Sequence, residues 1–222
     1  MADIVLLFDL DGTLVDSVPD LTSALNAVLR ERGYGALSRA EVAPMVGDGV
    51  PALVARGFAA RGGTPADAAS AVPRYLEIYE ANATVLTRPY PGVRETLLAL
   101  RRGGYRTAVC TNKPQQAALT VLQGLDLMPL IDAVAGGDRY DVKKPDPRHL
   151  LALLDELQGD AERAAMVGDS ENDAKVGHAA GVPVILMSYG YARAAPASLG
   201  AARVLDRFAD LPQALAQLQL IP

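Results

Sequence analysis

Two aspartates that lie two positions apart follow an apolar segment near the start of the chain. Asp9 comes directly after the run IVLLF at residues 4–8, and Asp11 follows it in DLDGT. Two neighbouring carboxylates repel each other and favour a bound cation. Oxygen ligands of this kind suit Mg²⁺, which also binds waters and substrate phosphate. An Asp-Gly pair is also common in tight turns, so this segment alone allows a purely structural interpretation.

A second polar segment, TNKP, follows the apolar residues 107–110. The hydroxyl of Thr111, the amide of Asn112 and the N–H groups of a helix that starts after Pro114 could together bind phosphate. Simple capping of that helix by Thr111 or Asn112 would explain the same residue types. The segment therefore indicates an anion site only in combination with others.

Two adjacent lysines, Lys143 and Lys144, lie in the loop VKKPDP. A lysine that precedes a proline in a loop could reach an anion. Adjacent surface lysines are usually only solvated, so the loop alone is weak support for a site.

The segment GDSEND repeats the first pattern, because Asp169 follows an apolar run, AAMV at residues 164–167, as Asp9 follows its own. Ser170 and Asp173 lie at the start of the helix that comes next. Acidic residues at a helix N-terminus also stabilise the helix without any further role.

The combination of these four segments favours a function. In open α/β sheets, ligands bind outside the carboxyl ends of the strands, so one sheet edge could gather residues that are far apart in sequence. Carboxylates for Mg²⁺, a hydroxyl and an ammonium are the groups that phosphoryl transfer needs, because positioning and charge stabilisation dominate that reaction.

Apolar runs and helical patterns alternate along most of the chain, which predicts the sheet that this gathering requires. The runs at residues 4–8, 107–110, 164–167 and 182–187 are typical of strands buried on both faces. Amphipathic helical patterns lie between them. We therefore expect an α/β fold with a Rossmann-like, doubly wound parallel sheet.

Residues 16–86 interrupt this alternation with helical patterns alone, which predicts a helical insert in a core formed by residues 1–15 and 87–222. Within the insert, the loop VGDGV contains Gly47 and Gly49, whose backbone N–H groups could approach a small carboxylate. An ordinary turn between two helices is the alternative explanation of these glycines.

Composition limits the classes of protein. The chain of 222 residues has 26 acidic and 21 basic side chains, which excludes a generally basic nucleic-acid binder. With 1 cysteine, an internal disulfide and a zinc site of several thiolates are excluded. No apolar run reaches the roughly 18 residues of a membrane span, and residues 4–8 are too short for a signal peptide. We expect a cytoplasmic protein that binds a small molecule rather than a nucleic acid or a membrane, as a monomer or homodimer.

The four segments resemble, in order and spacing, the four motifs of the haloacid dehalogenase (HAD) superfamily, over nearly the whole chain. The helical insert is similar to the C1-type cap of that superfamily. The closer resemblance is to bacterial phosphoglycolate phosphatases, through DLDGTLVDSVPDL, VGDGV, YPGV, TNKP, KKPDP, GDSENDA and SYGY. Related phosphatases of sugar phosphates share much of this second pattern.

The resemblance implies a role for each polar residue. Asp9 is the expected nucleophile, which would form an aspartyl-phosphate, and Asp11 would protonate the leaving alcohol and later deprotonate water. Thr111 and Lys144 would hold the phosphoryl oxygens. Lys144 rather than Lys143 takes this role because the family's lysine directly precedes the proline.

A Mg²⁺ site is implied in the same way. Asp9, the backbone carbonyl of Asp11 and Asp169 would bind the ion. Asp173, together with Ser170, would support the metal site or Lys144.

The expected reaction is Mg²⁺-dependent hydrolysis of a phosphate monoester, with 2-phosphoglycolate as the first candidate substrate. A phosphatase of sugar, amino-sugar or nucleotide monophosphates, a sugar phosphomutase and a non-catalytic binding module remain alternatives. A dehalogenase is disfavoured because Asp11 would then have no role as an acid.

Overall fold

A six-stranded parallel sheet forms the centre of the protein in a computed structural model that describes residues 3–222. Its strands lie side by side in the order β5-β4-β1-β6-β7-β8, and β2 pairs with β3 in a separate antiparallel ribbon. This topology confirms the predicted α/β fold. The strands are β1 (Val5–Phe8), β2 (Val15–Asp16), β3 (Arg88–Pro89), β4 (Arg106–Cys110), β5 (Ala133–Ala135), β6 (Ala164–Gly168), β7 (Val184–Met187) and β8 (Arg203–Leu205).

Helices connect the strands along the chain, as the alternating pattern predicts. Asp146 caps the seventh helix by accepting a hydrogen bond from the backbone N–H of Arg148, as its position before a proline suggests. The helices are α1 (Val18–Glu31), α2 (Arg39–Val42), α3 (Val50–Ala59), α4 (Pro65–Asn82), α5 (Val93–Arg102), α6 (Gln115–Gly124), α7 (Pro147–Glu156), α8 (Glu171–Ala180) and α9 (Leu211–Gln217).

Strand β1 is buried on both faces, as its continuous apolar run predicts. Leu6 and Phe8 pack into one core with residues of α5, α6 and α9. Val5 and Leu7, which point the other way, pack into a second core with residues of α7 and α8. The sheet is therefore covered by helices on both sides, and its carboxyl edge is left open for a site.

Helices α1 to α4 lie between the two short strands of the β2–β3 ribbon in chain order, and α4 packs against both α1 and α3. Capping boxes start two of these helices, with Ser38 and Glu41 at α2 and Thr64 and Asp67 at α4. Ser38 and Thr64 are residue types that commonly cap helices. In residues 3–222, no helix has the length and apolar character needed to span a lipid bilayer.

Several elements lack a clear sequence signal, among them the two-residue strands β2 and β3. Strand β5 has only three residues, and β8 is an edge strand with two of its three residues exposed, so neither forms a continuous apolar run. Helix α3 starts at Val50, directly after the glycine-containing turn of VGDGV, and is not predicted.

Candidate active site

The register of the sheet places the predicted residues at one edge. Phe8 of β1 pairs with Val109 of β4 on one side and with Val167 of β6 on the other. Asp9, which follows Phe8, therefore lies next to the ends of both neighbouring strands, and its backbone N–H donates to the Val167 carbonyl at 2.9 Å. Three strand ends thus converge, as the sequence analysis predicts for this edge.

Three carboxylates meet there. One carboxylate oxygen each of Asp9, Asp169 and Asp173 lies within 4.8 Å of the other two, and all three side chains are buried. Asp9 and Asp169 are hence close enough to share an ion. A set of carboxylate oxygens is the donor chemistry that a hard divalent cation prefers. One buried oxygen of Asp9, Oδ1, has no hydrogen-bond donor among the described residues apart from its ion pair with Lys144, which leaves it lone-pair capacity for a metal ion. The cluster therefore fits a divalent metal.

Burial disfavours the charged form of the carboxyl groups in this cluster. It raises the pKa of Asp9 to about 6, against the lowering effect of Lys144. Burial likewise raises the pKa of Asp169 well above its ordinary value, and the charges of Asp173 and Asp9 add to the rise. A bound cation would stabilise the charged form of both carboxyl groups.

Lys144 provides a positive charge inside the cluster. Its Nζ lies 3.0 Å from Asp9 Oδ1 and 2.6 Å from Asp173 Oδ1, and its side chain is buried. Burial lowers the pKa of Lys144, but Asp173 and Asp9 together raise it above its ordinary value. Lys143 instead points to the loop VGDGV and donates to the carbonyl of Asp48 at 2.9 Å. The structure thus places Lys144, and not Lys143, beside Asp9.

Asp173 holds the start of α8 as well as Lys144. Its Oδ2 accepts hydrogen bonds from the backbone N–H groups of Asp169 and Ser170 and from the Ser170 hydroxyl, the last at 2.7 Å. The carboxylate is therefore fixed by the backbone that carries Asp169. Asp173 and Ser170 thus contact each other and the residues on either side of the cluster.

Asp169 is held from the opposite side by residues distant in sequence. Its Oδ1 accepts a hydrogen bond from the Thr13 hydroxyl at 2.9 Å, and its Oδ2 accepts one from the Tyr191 N–H at 2.6 Å. A Cβ on Gly190 would collide with the Asp169 side chain, so the close approach of this turn requires glycine.

Asp11 does not join the three carboxylates. Both of its oxygens accept hydrogen bonds from Lys113 Nζ at 3.0 Å, and this ammonium lies 4.5 Å from the centre of the Tyr79 ring. The side chain of Lys113 is only 3% exposed. Sequence reasoning missed Lys113, although its position in TNKP, after the strand end, was a usable signal.

Thr111 and Asn112 occupy the end of β4. The interaction of Asp9 with the Thr111 hydroxyl lowers the pKa of that carboxyl group, against the larger effect of burial. The amide of Asn112 donates to the carbonyls of Gly47 and Lys144, at 2.9 and 3.0 Å. Both donors of Asn112 therefore tie two loops together, and its buried Oδ1 lacks a partner among the described residues.

A pocket separates this edge of the sheet from helices α1, α3 and α4. Gly47 and Gly49 line it with positive φ angles of 110° and 92°, which favour glycine. Apolar side chains cover it from the helical side, and charged and polar groups lie at the sheet edge. The lining residues are Asp9, Asp11, Leu21, Val46, Gly47, Gly49, Val50, Leu53, Tyr79, Thr111, Asn112, Lys113 and Pro114.

Asp48 connects the loop VGDGV to the sheet edge and is a second feature without a sequence signal. Its carboxylate accepts hydrogen bonds from Asn172 at 2.6 Å and from Arg193 at 3.0 Å, and it also pairs with Arg56. Burial raises the pKa of Asp48, but these hydrogen bonds outweigh it and lower the pKa below its ordinary value.

A parallel sheet with a carboxylate cluster at its carboxyl edge is typical of a class of enzymes, and comparison with protein families identifies this class. Residues 6–187 match the family of haloacid dehalogenase-like hydrolases, and the chain belongs to this family. It is a hydrolase.

Similar proteins within this class carry a more specific name. The chain is 48% identical to the phosphoglycolate phosphatase of Rhodospirillum rubrum, with 92% of this chain and 88% of that protein covered. It is 43% identical to the phosphoglycolate phosphatase of Caulobacter vibrioides, over 93% and 88%. A crystal structure of a predicted phosphoglycolate phosphatase from Haemophilus somnus is 30% identical, with a TM-score of 0.90 over 95% of this chain and 97% of that one.

Proposed function

We propose that this protein is a Mg²⁺-dependent phosphatase that hydrolyses 2-phosphoglycolate to glycolate and phosphate through an aspartyl-phosphate. The observation that carries the proposal is the meeting of Asp9, Asp169, Asp173 and Lys144 in one buried cluster. The names of the similar phosphatases support the choice of substrate.

Asp9 is the proposed nucleophile. Its carboxylate oxygen forms a bond to phosphorus while the bond from phosphorus to the ester oxygen breaks. Water then attacks the aspartyl-phosphate, which releases phosphate and restores Asp9. The burial of Asp9 beside Thr111 and Lys144 supports this assignment, because the same two residues can hold the phosphoryl oxygens.

Charge repulsion is the main obstacle to this attack. Two unit charges about 4 Å apart repel by about 4 kcal/mol at an effective dielectric of about 20, and a phosphate dianion roughly doubles this. Lys144 offsets part of the repulsion from its position 3.0 Å from Asp9. Mg²⁺, when bound by Asp9, Asp169 and the Asp11 carbonyl, would supply the remaining positive charge.

Asp11 is the proposed acid and base. It lies in the same pocket as Asp9 but outside the carboxylate cluster, so it can face the leaving alcohol rather than the metal. It would donate a proton to the ester oxygen in the first step and accept one from water in the second.

Residues 16–86 are the proposed cap, and residues 1–15 with 87–222 the proposed core. The cap helices cover the pocket with Leu21, Val50, Leu53 and Tyr79, which would exclude bulk water from the reaction. Gly47 and Gly49 would place backbone N–H groups near the substrate.

A panel of phosphate esters assayed with and without Mg²⁺ tests the proposal. We expect 2-phosphoglycolate to be hydrolysed with a kcat/KM more than about tenfold above those of sugar and nucleotide monophosphates, a difference of about 1.4 kcal/mol. Activity with Mg²⁺ but a preference for another ester would refute the substrate only. The absence of turnover of every ester, including p-nitrophenyl phosphate, would refute the phosphatase.

A further inference from the structure

The ammonium of Lys113 is a buried cation of the pocket to which the proposed reaction gives no task. Its side chain is 3% exposed. Among the described residues that line the pocket, Lys113 is the basic side chain, since they include no other lysine and no arginine. Lys144, the other buried lysine of the site, is committed to Asp9 and Asp173. A buried ammonium has to be compensated by partners, so its surroundings indicate what it can bind.

The ammonium has hydrogen-bonding capacity left. A lysine has three N–H donors, and Lys113 uses two of them on the two oxygens of Asp11, each at 3.0 Å. The Tyr79 ring, 4.5 Å away, holds the cation from one side without accepting a conventional hydrogen bond. Among residues 3–222, the contacts of Lys113 Nζ include no third hydrogen-bond acceptor.

The position of Lys113 also fits one part of a small substrate. Phosphoryl oxygens held near Thr111 and Lys144 leave the ester oxygen facing Asp11 in the proposed reaction. Lys113 directly contacts Asp11. A substituent on the carbon that is bonded to the ester oxygen would therefore lie near Lys113. Gly47 and Gly49 line the same pocket, so their backbone N–H groups could donate hydrogen bonds to the same substituent of the substrate.

We infer that Lys113 is the specificity-determining residue that binds the carboxylate of the substrate, through the N–H donor that Asp11 leaves free. This inference rests on the proposed phosphatase function and adds the residue that selects a phosphate ester with a carboxylate. A charge-assisted hydrogen bond in a desolvated pocket is among the stronger polar interactions, so its loss is measurable.

The test compares 2-phosphoglycolate with ethyl phosphate, which has the same length but no carboxylate. Lys113→Met removes the partner of Asp11 for both esters, so kcat/KM should fall for both. We expect the fall for 2-phosphoglycolate to exceed that for ethyl phosphate by about 30- to 100-fold. Lys113→Gln, which can still donate a hydrogen bond to Asp11, should show the same selective loss. Lys175→Met, at an exposed position on α8, is the matched control and should behave like the wild type.

Equal losses with both esters would overturn the inference, because Lys113 would then serve only to hold Asp11 or the phosphate. An unchanged preference in both Lys113 variants would overturn it as well. In either case a wild type that prefers 2-phosphoglycolate leaves the proposed function intact.

Binding to an Asp9→Asn protein gives a readout that does not depend on turnover. Calorimetry with 2-phosphoglycolate and with inorganic phosphate should show that adding Lys113→Met lowers the affinity for 2-phosphoglycolate alone. The expected factor is similar to the one in the kinetic test. Equal effects on the two ligands would contradict the inference. If the wild type fails to turn over 2-phosphoglycolate, the proposed substrate is refuted, while this measurement still decides the role of Lys113.

Discussion

At the scale of single residues, burial determines which form of each titratable group the fold can tolerate. Asp9 and Lys144 are both buried, yet they face each other at 3.0 Å, so each charge is compensated by the other. His149 and Cys110 show the opposite solution, because both are buried as neutral groups. Burial raises the pKa of the Cys110 thiol to about 12 and lowers the pKa of His149.

The tautomer of His149 follows from its neighbours. Its Nε2 lies 3.0 Å from the Gly136 carbonyl, which can only accept, so Nε2 carries the proton. Nδ1 is then free to accept from the Cys110 thiol at 3.5 Å. Protonation of Nδ1 would remove this contact and introduce a charge into the second core.

This environment predicts a pH dependence of stability. The folded-state pKa of His149 lies below the ordinary value of 6.5, so the unfolded chain binds a proton more readily as the pH falls below that value. The free energy of unfolding should therefore lose up to about 1.4 kcal/mol per pH unit from this group. We expect denaturant unfolding between pH 7 and 5 to show a weaker pH dependence of the unfolding free energy in His149→Gln than in the wild type. His178→Gln, at an exposed histidine, should keep the wild-type pH dependence. Identical pH dependences in both variants would refute the assignment, because the carboxyl groups of the site are common to both.

At the scale of elements, the ends of parallel strands do most of the positioning. The apolar runs and the polar residues after them were sufficient to predict that Asp9, Thr111 and Asp169 meet, because parallel strands bring their carboxyl ends to one edge. Sequence patterns could not show that Tyr191 holds Asp169, or that Lys113 faces Asp11. Those contacts depend on how loops fold over the edge, which local periodicity does not encode.

The turn after β7 gives a prediction at this scale. Gly190→Ala would press a methyl group against Asp169, and overpacking of this kind costs about 1–3 kcal/mol of unfolding free energy. The same displacement should raise the Mg²⁺ concentration needed for half-maximal activity. Gly35→Ala is the control, since its Cβ would meet only the Arg61 side chain at 3.7 Å. Equal stability and equal Mg²⁺ dependence in the two variants would show that this turn does not position Asp169.

At the scale of the whole molecule, Asp48 joins the proposed cap to the proposed core. It lies in the cap loop, yet it accepts hydrogen bonds from Asn172 and Arg193, which belong to the core segments. Asn112 strengthens the same junction through the Gly47 carbonyl. The helical character of the insert was predictable from its patterns, but this junction was not, because its partners are more than 60 residues apart.

Loosening this junction should impair turnover. Asp48→Asn removes the charge that pairs with Arg56 and Arg193, and we expect kcat/KM to fall about tenfold, which corresponds to about 1.4 kcal/mol. Hydrogen exchange of residues 46–50 should become faster in the same variant. Glu77→Gln, which removes an exposed ion pair with Arg74 on α4, should change neither quantity. Wild-type kinetics and exchange in Asp48→Asn would mean that the contacts of Asp48 do not stabilise the junction between the proposed cap and core.

The most direct test of the account is to locate the transferred phosphoryl group. The enzyme, mixed with 2-phosphoglycolate and Mg²⁺ and quenched in acid during turnover, can be digested and analysed by mass spectrometry. We predict a phosphoryl group on the peptide that contains Asp9. In a folded Asp9→Asn protein we predict that this phosphoryl group is absent and that turnover is lost. Sustained turnover by Asp9→Asn, or a phosphoryl group on a different residue, would contradict the central claim that Asp9 is the nucleophile.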